Sequence, residues 1–263
     1  MITRIAILGA GTMGRGIARV ASDAGFETTL FDVSQAAIDA AREQVAVTAT
    51  VSFTDAVRDA ELIIEAVPER IEVKLQTFEE VQAHARPEAV LATNTSALSI
   101  SEMAAVLDNP ARLVGMHFFN PVPKMKLVEI VRAAATSDEA IAVAVDVATR
   151  MGKETVVVRE SPGFVTTRIN AMIGNEAFYM LQEGIAAARD IDKALKLGLN
   201  HPMGPFELVD LVGLDVRLSI LRHLHKTLGE KFRPCPLLEE LVEQGRLGRK
   251  TGRGVYEYPS NER

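Results

Sequence analysis

The chain has 263 residues, of which 48% are hydrophobic and 24% charged, and its formal net charge is −6. That composition supports a globular core and excludes general affinity for nucleic acid, which needs an excess of Lys and Arg against the phosphate backbone. A single cysteine, Cys235, excludes an intrachain disulfide and a cysteine-cluster metal site and fits a reducing cytoplasm, while no apolar run reaches the roughly 18 residues of a membrane span.

The chain opens directly on a strand, Ile5-Ala6-Ile7-Leu8, so no signal peptide is expected. The strand runs into Gly9-Ala10-Gly11-Thr12-Met13-Gly14, and a second apolar run, Leu30-Phe31, ends eighteen positions later at Asp32. Each part has a physical reason. Gly9 permits a tight turn, Gly11 lets backbone approach a pyrophosphate, and Gly14 lets the following helix pack close to the strand. The helix N-terminus, at Thr12 and Met13, offers unpaired N–H groups to the phosphates. Asp32 is placed for the adenosine ribose hydroxyls and repels a 2′-phosphate, so the cofactor expected is NAD.

Ser34 caps an expected helix over 34–44, and residues 45–53 alternate as a short strand does. Compact apolar strands follow at 62–67 and 90–93, separated by an amphipathic helix over 72–85. Alternation of strand and helix predicts a parallel sheet covered on both faces, a doubly wound, Rossmann-type α/β fold. Ser99 with Glu102, and Thr136 with Glu139, have the spacing of capping boxes. Strands are expected at 113–118 and 127–131, joined by a segment in which Pro121 and Pro123 forbid a continuous helix, and a last strand at 155–158. Beyond Pro162-Gly163 the pattern is helical, over 164–182, 190–197, 205–228 and 237–244. The expected division is therefore a dinucleotide-binding domain over 1–160 and an all-α domain over 161–263. The helical part has more apolar surface than four short helices bury alone, so it is expected to pack on the first domain or on a second subunit.

Hydride transfer to NAD also requires a group that takes the hydroxyl proton. His117 stands at the end of a strand whose carboxyl edge faces the ligand crevice. Glu129, a carboxylate inside the apolar strand Leu127-Val128-Glu129-Ile130-Val131, needs a partner, and an imidazole serves. The alternative for the pair is a solvated strand-end histidine and a glutamate on an exposed edge. His223 and His225, two apart on a helix, point to different faces and form no metal pair, and His201 falls in turn chemistry; no metal site is expected.

Asn94-Thr95-Ser96, Met116-His117-Phe118-Phe119-Asn120-Pro121-Val122-Pro123, Ser161-Pro162-Gly163-Phe164 and His201-Pro202-Met203-Gly204-Pro205-Phe206 resemble the short-chain L-3-hydroxyacyl-CoA dehydrogenase family, and within it the bacterial 3-hydroxybutyryl-CoA enzymes. The resemblance covers nearly the whole chain. It implies NAD-dependent oxidation of an L-3-hydroxyacyl-CoA to the 3-ketoacyl-CoA, with an acyl-CoA substrate and a homodimer built through the helical domain. It makes His117 the general base, Glu129 its orienting carboxylate, and Ser96 and Asn120 donors near the reacting oxygen and the nicotinamide, with Asn120 holding either the reacting carbonyl or the His117 loop. Glu69, Lys74 and Lys250 match cofactor contacts; for Lys74 and Lys250 the alternatives are a solvated helix face and a basic tail.

Two departures from the family stand out. Thr167 occupies a position where many relatives carry asparagine, and a long helical hairpin that helps cover CoA in relatives is missing from 42–51. The second departure predicts weakened discrimination between a CoA ester and a shorter carrier or free acid. The rivals are a dehydrogenase of free hydroxy acids or sugar acids and a non-catalytic NAD-binding protein.

Overall fold

A computed structural model describes residues 1–259, which divide into two compact units, Met1–Phe164 and a second beginning at Val165. In the first unit, β1 (Arg4–Leu8), α1 (Thr12–Asp23), β2 (Glu27–Phe31), α2 (Gln35–Arg42), β3 (Thr48–Thr50), α3 (Phe53–Val57), β4 (Leu62–Glu65), α4 (Ile71–His84) and β5 (Val90–Thr93) lead to α5 (Ile100–Ala104), β6 (Leu113–Phe118), β7 (Leu127–Arg132), α6 (Asp138–Arg150) and β8 (Glu154–Arg159). The strands form one sheet in the order β3-β2-β1-β4-β5-β6-β7-β8. Successive side chains of β1 go to opposite faces: Ile5 and Ile7 join one apolar cluster, Ala6 and Leu8 the other. Burial on both sides is why the strand sequences read as unbroken apolar runs.

Strands β3 to β6 are paired in parallel, but β7 pairs with β6 antiparallel, setting His117 opposite Glu129. Eight residues, 119–126, connect the two strands. A parallel crossover needs a dozen or more residues, so so short a link forces the reversal.

Local differences from the sequence reading have identifiable causes. Within 45–53 only β3 is extended; Ser52 Oγ accepts from Asp55 N at 3.3 Å and starts α3 at Phe53, whose ring packs edge-on against Phe31. The cap of α6 is Ser137, which accepts from Ala140 N, and not Thr136. Thr136 Oγ1 donates instead to Leu113 O at 2.7 Å and accepts from Ala133 N, closing the ends of two strands. Ser34 and Ser99 cap α2 and α5 as expected.

The second unit holds α7 (Thr166–Gln182), α8 (Ala188–Gly198), α9 (Pro205–Val212), α10 (Leu214–Leu228) and α11 (Pro236–Glu243) around a core that includes Phe178, Phe206, Leu221 and Phe232. The expected single helix over 205–228 is two. Gly213 breaks it at φ 113°, a conformation closed to other residues without strain. Among the described residues no helix is long and apolar enough to cross a membrane.

Candidate active site

The turn after β1 has little freedom. A Cβ on Gly9 would lie 2.6 Å from Ala66 O, and one on Gly14 would strike Gly9 O. Gly11 is the opposite case: a Cβ there meets nothing within 4 Å, so open space lies beside the N-cap of α1. No carboxylate occupies the first turn of α1, and Thr12 and Met13 present its leading backbone. Asp32, just past β2, accepts from Ala10 N at 2.8 Å and from Ser34 N at 2.9 Å, which fixes the carboxylate beside the turn. An open cradle at a helix N-terminus with an anchored acid at its side fits a dinucleotide. The Gly11→Val variant, whose N-cap φ of −68° suits a side chain, is expected to fold at a cost of about 1 kcal/mol for the poorer cap and to bind NADH at least about tenfold more weakly by fluorescence titration. Unchanged affinity would remove the pyrophosphate from this turn.

The carboxyl ends of β4, β5 and β6 carry the remaining groups. His117 Nδ1 lies 2.7 Å from Glu129 Oε2, with the histidine side chain 8% exposed and the carboxylate fully buried. The solvated-edge alternative for this pair is therefore excluded. Phe119 and Phe164 flank the imidazole, with ring centroids 4.4 and 5.7 Å away. Asn94, which sequence reasoning passed over inside the Asn94-Thr95-Ser96 motif, accepts from Phe118 N at 2.9 Å and ties the end of β5 to the strand end next to His117. Its role shows only once β5 and β6 are known to be neighbours. Asn120 is exposed at the start of the loop that follows β6.

Ser96 belongs to a carboxylate network. Glu69 Oε1 accepts from Thr95 Oγ1 at 2.6 Å, from Ser96 N at 2.8 Å and from Ser96 Oγ at 3.1 Å. Behind it, Lys74 Nζ lies 2.6 Å from Glu65 Oε1 and 3.3 Å from Glu69 Oε2. Lys74 is fully buried, so a solvated helix face is not its place. Glu65, also fully buried, takes Thr93 Oγ1 at 2.6 Å and Val67 N at 2.8 Å. Burial pushes the Glu65 carboxyl above its ordinary value against the pull of Lys74. For Glu69 burial acts in the same direction, but Lys74 and the donated hydrogen bonds outweigh it and hold the group below the usual carboxylate range. Glu69 is thus an anion that fixes the Ser96 hydroxyl proton on itself.

Lys250 lies in the helical unit, where its Nζ is 2.6 and 2.7 Å from the two oxygens of Asp215. Thr167 is the second residue of α7. His225 pairs with Glu230 at 3.0 Å, and among the described residues no group of three or more His, Cys, Asp or Glu could hold a metal.

Comparison with known proteins agrees with this architecture. The family description "3-hydroxyacyl-CoA dehydrogenase, NAD binding domain" matches residues 4–52 and 45–161, and "3-hydroxyacyl-CoA dehydrogenase, C-terminal domain" matches 163–258. The chain is 43% identical to a probable 3-hydroxybutyryl-CoA dehydrogenase of Bacillus subtilis, over 98% of each chain. It is 41% identical to the 3-hydroxybutyryl-CoA dehydrogenase of Bradyrhizobium diazoefficiens, over 98% of this chain and 96% of the relative. The crystal structure of (S)-3-hydroxybutyryl-CoA dehydrogenase PaaH1 from Ralstonia eutropha superposes with a TM-score of 0.94 at 37% identity, covering 99% of this chain and 100% of that one. The alignment to the Bacillus protein spans 280 positions against 263 here, and the NAD-domain family matches in two stretches that overlap at 45–52, beside the five residues through which α2 passes to β3. With both family domains matched in order along nearly its full length, the chain belongs to the 3-hydroxyacyl-CoA dehydrogenase family.

Proposed function

We propose that the protein oxidises short-chain L-3-hydroxyacyl-CoA, 3-hydroxybutyryl-CoA foremost, to the 3-ketoacyl-CoA with NAD, reversibly. The observation that carries this reading is the His117–Glu129 pair, 2.7 Å apart at the sheet edge that also bears the dinucleotide turn. An ionised Glu129 only accepts, so His117 donates from Nδ1 and keeps the Nε2 lone pair for the substrate. NAD, when bound, supplies the hydride acceptor for C3. The hydroxyl proton passes to His117 Nε2, and Glu129 stabilises the resulting imidazolium. Phe119 and Phe164 shield the ring from water, which strengthens that stabilisation.

Asn120 supplies an amide donor to the reacting oxygen. Ser96, whose hydroxyl proton lies on Glu69, donates to the reacting oxygen after rotating away from Glu69. Glu69 lines the cofactor side, and Lys74 acts through it. Lys250 is a cofactor-side contact in this reading. The first unit holds the dinucleotide, and the helical unit serves substrate binding and dimerisation. Exposed Ile169, Leu197, Leu199 and Leu211 on the helical unit support a homodimer, and the single cysteine supports a cytoplasmic setting.

The five-residue passage from α2 to β3 favours a second reading, in which a free hydroxy acid or sugar acid is the substrate. NADH oxidation with acetoacetyl-CoA beside free acetoacetate at equal concentration decides between them. A strong preference for the thioester is expected. Equal rates, or turnover of the free acid alone, would transfer the assignment to the second reading, and turnover of neither with NADH bound would leave a dinucleotide-binding protein.

A further inference from the structure

Lys153, in the turn between α6 and β8, is 7% exposed. Its Nζ donates to Val122 O at 2.5 Å and to Met125 O at 2.9 Å. Among the described residues no carboxylate lies within ion-pair distance of it, and burial lowers its affinity for the proton. Burying an ammonium costs several kcal/mol unless it is well bonded. Here its bonds go to the backbone of one loop, the segment 119–126 between His117 and Glu129.

Three observations describe that loop. Its turn closes locally through Lys124 N and Met125 N, both donating to Pro121 O at 3.0 Å. Asn120, Lys124 and Met125 are exposed, so side-chain burial holds little of it. The exception is Val122, 2% exposed and packed on α1: a Cβ added at Gly16 would come within 2.9 Å of Val122 Cβ and Cγ2. The loop is thus fixed from two directions, by a buried ammonium at its carbonyls and by the bare backbone of the helix whose N-terminus faces the dinucleotide cradle. Glu154 N, the next residue, donates to Lys126 O at 2.8 Å and fixes the ammonium's own position relative to the loop exit.

We propose that Lys153 is a positioning residue for the reaction: it sets the loop carrying Asn120 against α1, so that Asn120 and the His117 strand end keep one geometry relative to the dinucleotide. The inference rests on the dehydrogenase reading given above. A displacement of about 1 Å at a reacting site can cost 10²-fold in rate.

Two variants test it from opposite sides. Lys153→Met keeps the bulk and removes the ammonium. Gly16→Ala, favourable to the helix itself, pushes Val122 while leaving Lys153 in place. Each is expected to lower kcat for acetoacetyl-CoA reduction about 10- to 100-fold, with KM for the thioester changed less than threefold and NADH affinity within twofold. Lys153→Arg is expected to recover part of the kcat lost in the methionine variant. Amide exchange in the 121–126 segment should be at least about tenfold faster in Lys153→Met, and this readout holds whether or not acetoacetyl-CoA is turned over. A parent inactive with acetoacetyl-CoA would refute the acyl-CoA reading, with exchange still judging the loop. Parent-like kcat in both variants, or parent-like exchange in Lys153→Met, would overturn the inference, as would a loss of NADH affinity as large as the loss of kcat.

Discussion

Replacing His117 with alanine is expected to lower turnover of acetoacetyl-CoA by about 10² to 10⁴, the usual worth of a general acid–base group. NADH affinity should stay within about twofold, because the dinucleotide cradle is built from the β1 turn, α1 and Asp32 and borrows nothing from β6. Glu129→Gln is the finer instrument. It keeps a side chain of the same shape 2.7 Å from Nδ1 but removes the charge that stabilises the imidazolium. It should cost about 10²-fold in kcat, with the substrate KM little changed. A loss below tenfold in the alanine variant would sink the dyad as the proton acceptor.

The second large effect concerns stability. Lys74→Met leaves Glu65 buried with only Thr93 and the Val67 amide to serve it, and breaking a buried pair from one side typically costs about 3–5 kcal/mol. Glu65 already has a raised pKa from burial, and losing Lys74 removes the opposing pull. A carboxyl whose folded pKa lies above its unfolded value costs stability at high pH and ceases to do so once both states are protonated. The deficit of Lys74→Met should therefore narrow as pH falls from about 7.5 towards 4.5. The double variant Glu65→Gln with Lys74→Met, which buries no charge, should regain most of the loss. Denaturant melts at several pH values read all of this; a pH-independent deficit, or one under about 1 kcal/mol, would show that Glu65 and Lys74 do not depend on each other.

The elements that sequence made legible share a property: their signals are local. A glycine turn after an apolar strand, Ser34 and Ser99 ahead of helices, and a carboxylate inside an apolar strand all carry their explanation within a few residues. Thr136 misled because it and Ser137 are adjacent candidates for the same cap, and only the position of the Leu113 carbonyl decides which of them turns away from the helix. Gly213 was readable in principle as a helix break, but the apolar pattern runs on across it in both directions. Lys74 and Lys153 were beyond local reading. Each sits in an ordinary charged-looking stretch, and each is buried because of partners that come from other strands and loops. The resemblance to the family named Lys74 and Glu69 as positions of interest, but not Glu65, nor that the two carboxylates together hold the ammonium.

The antiparallel placement of β7 separates two things that enzymes often have to change together. His117 and Glu129 face each other by strand register, so their spacing is held by the backbone ladder and not by the chain that joins them. Residues can enter or leave that joining segment without moving the dyad, provided the ladder keeps its pairing; a one-residue slip of β7 would turn Glu129 to the opposite face and abolish it. The spacing of the dyad is in this sense insulated from the loop, whose position bears instead on where Asn120 stands relative to the dinucleotide.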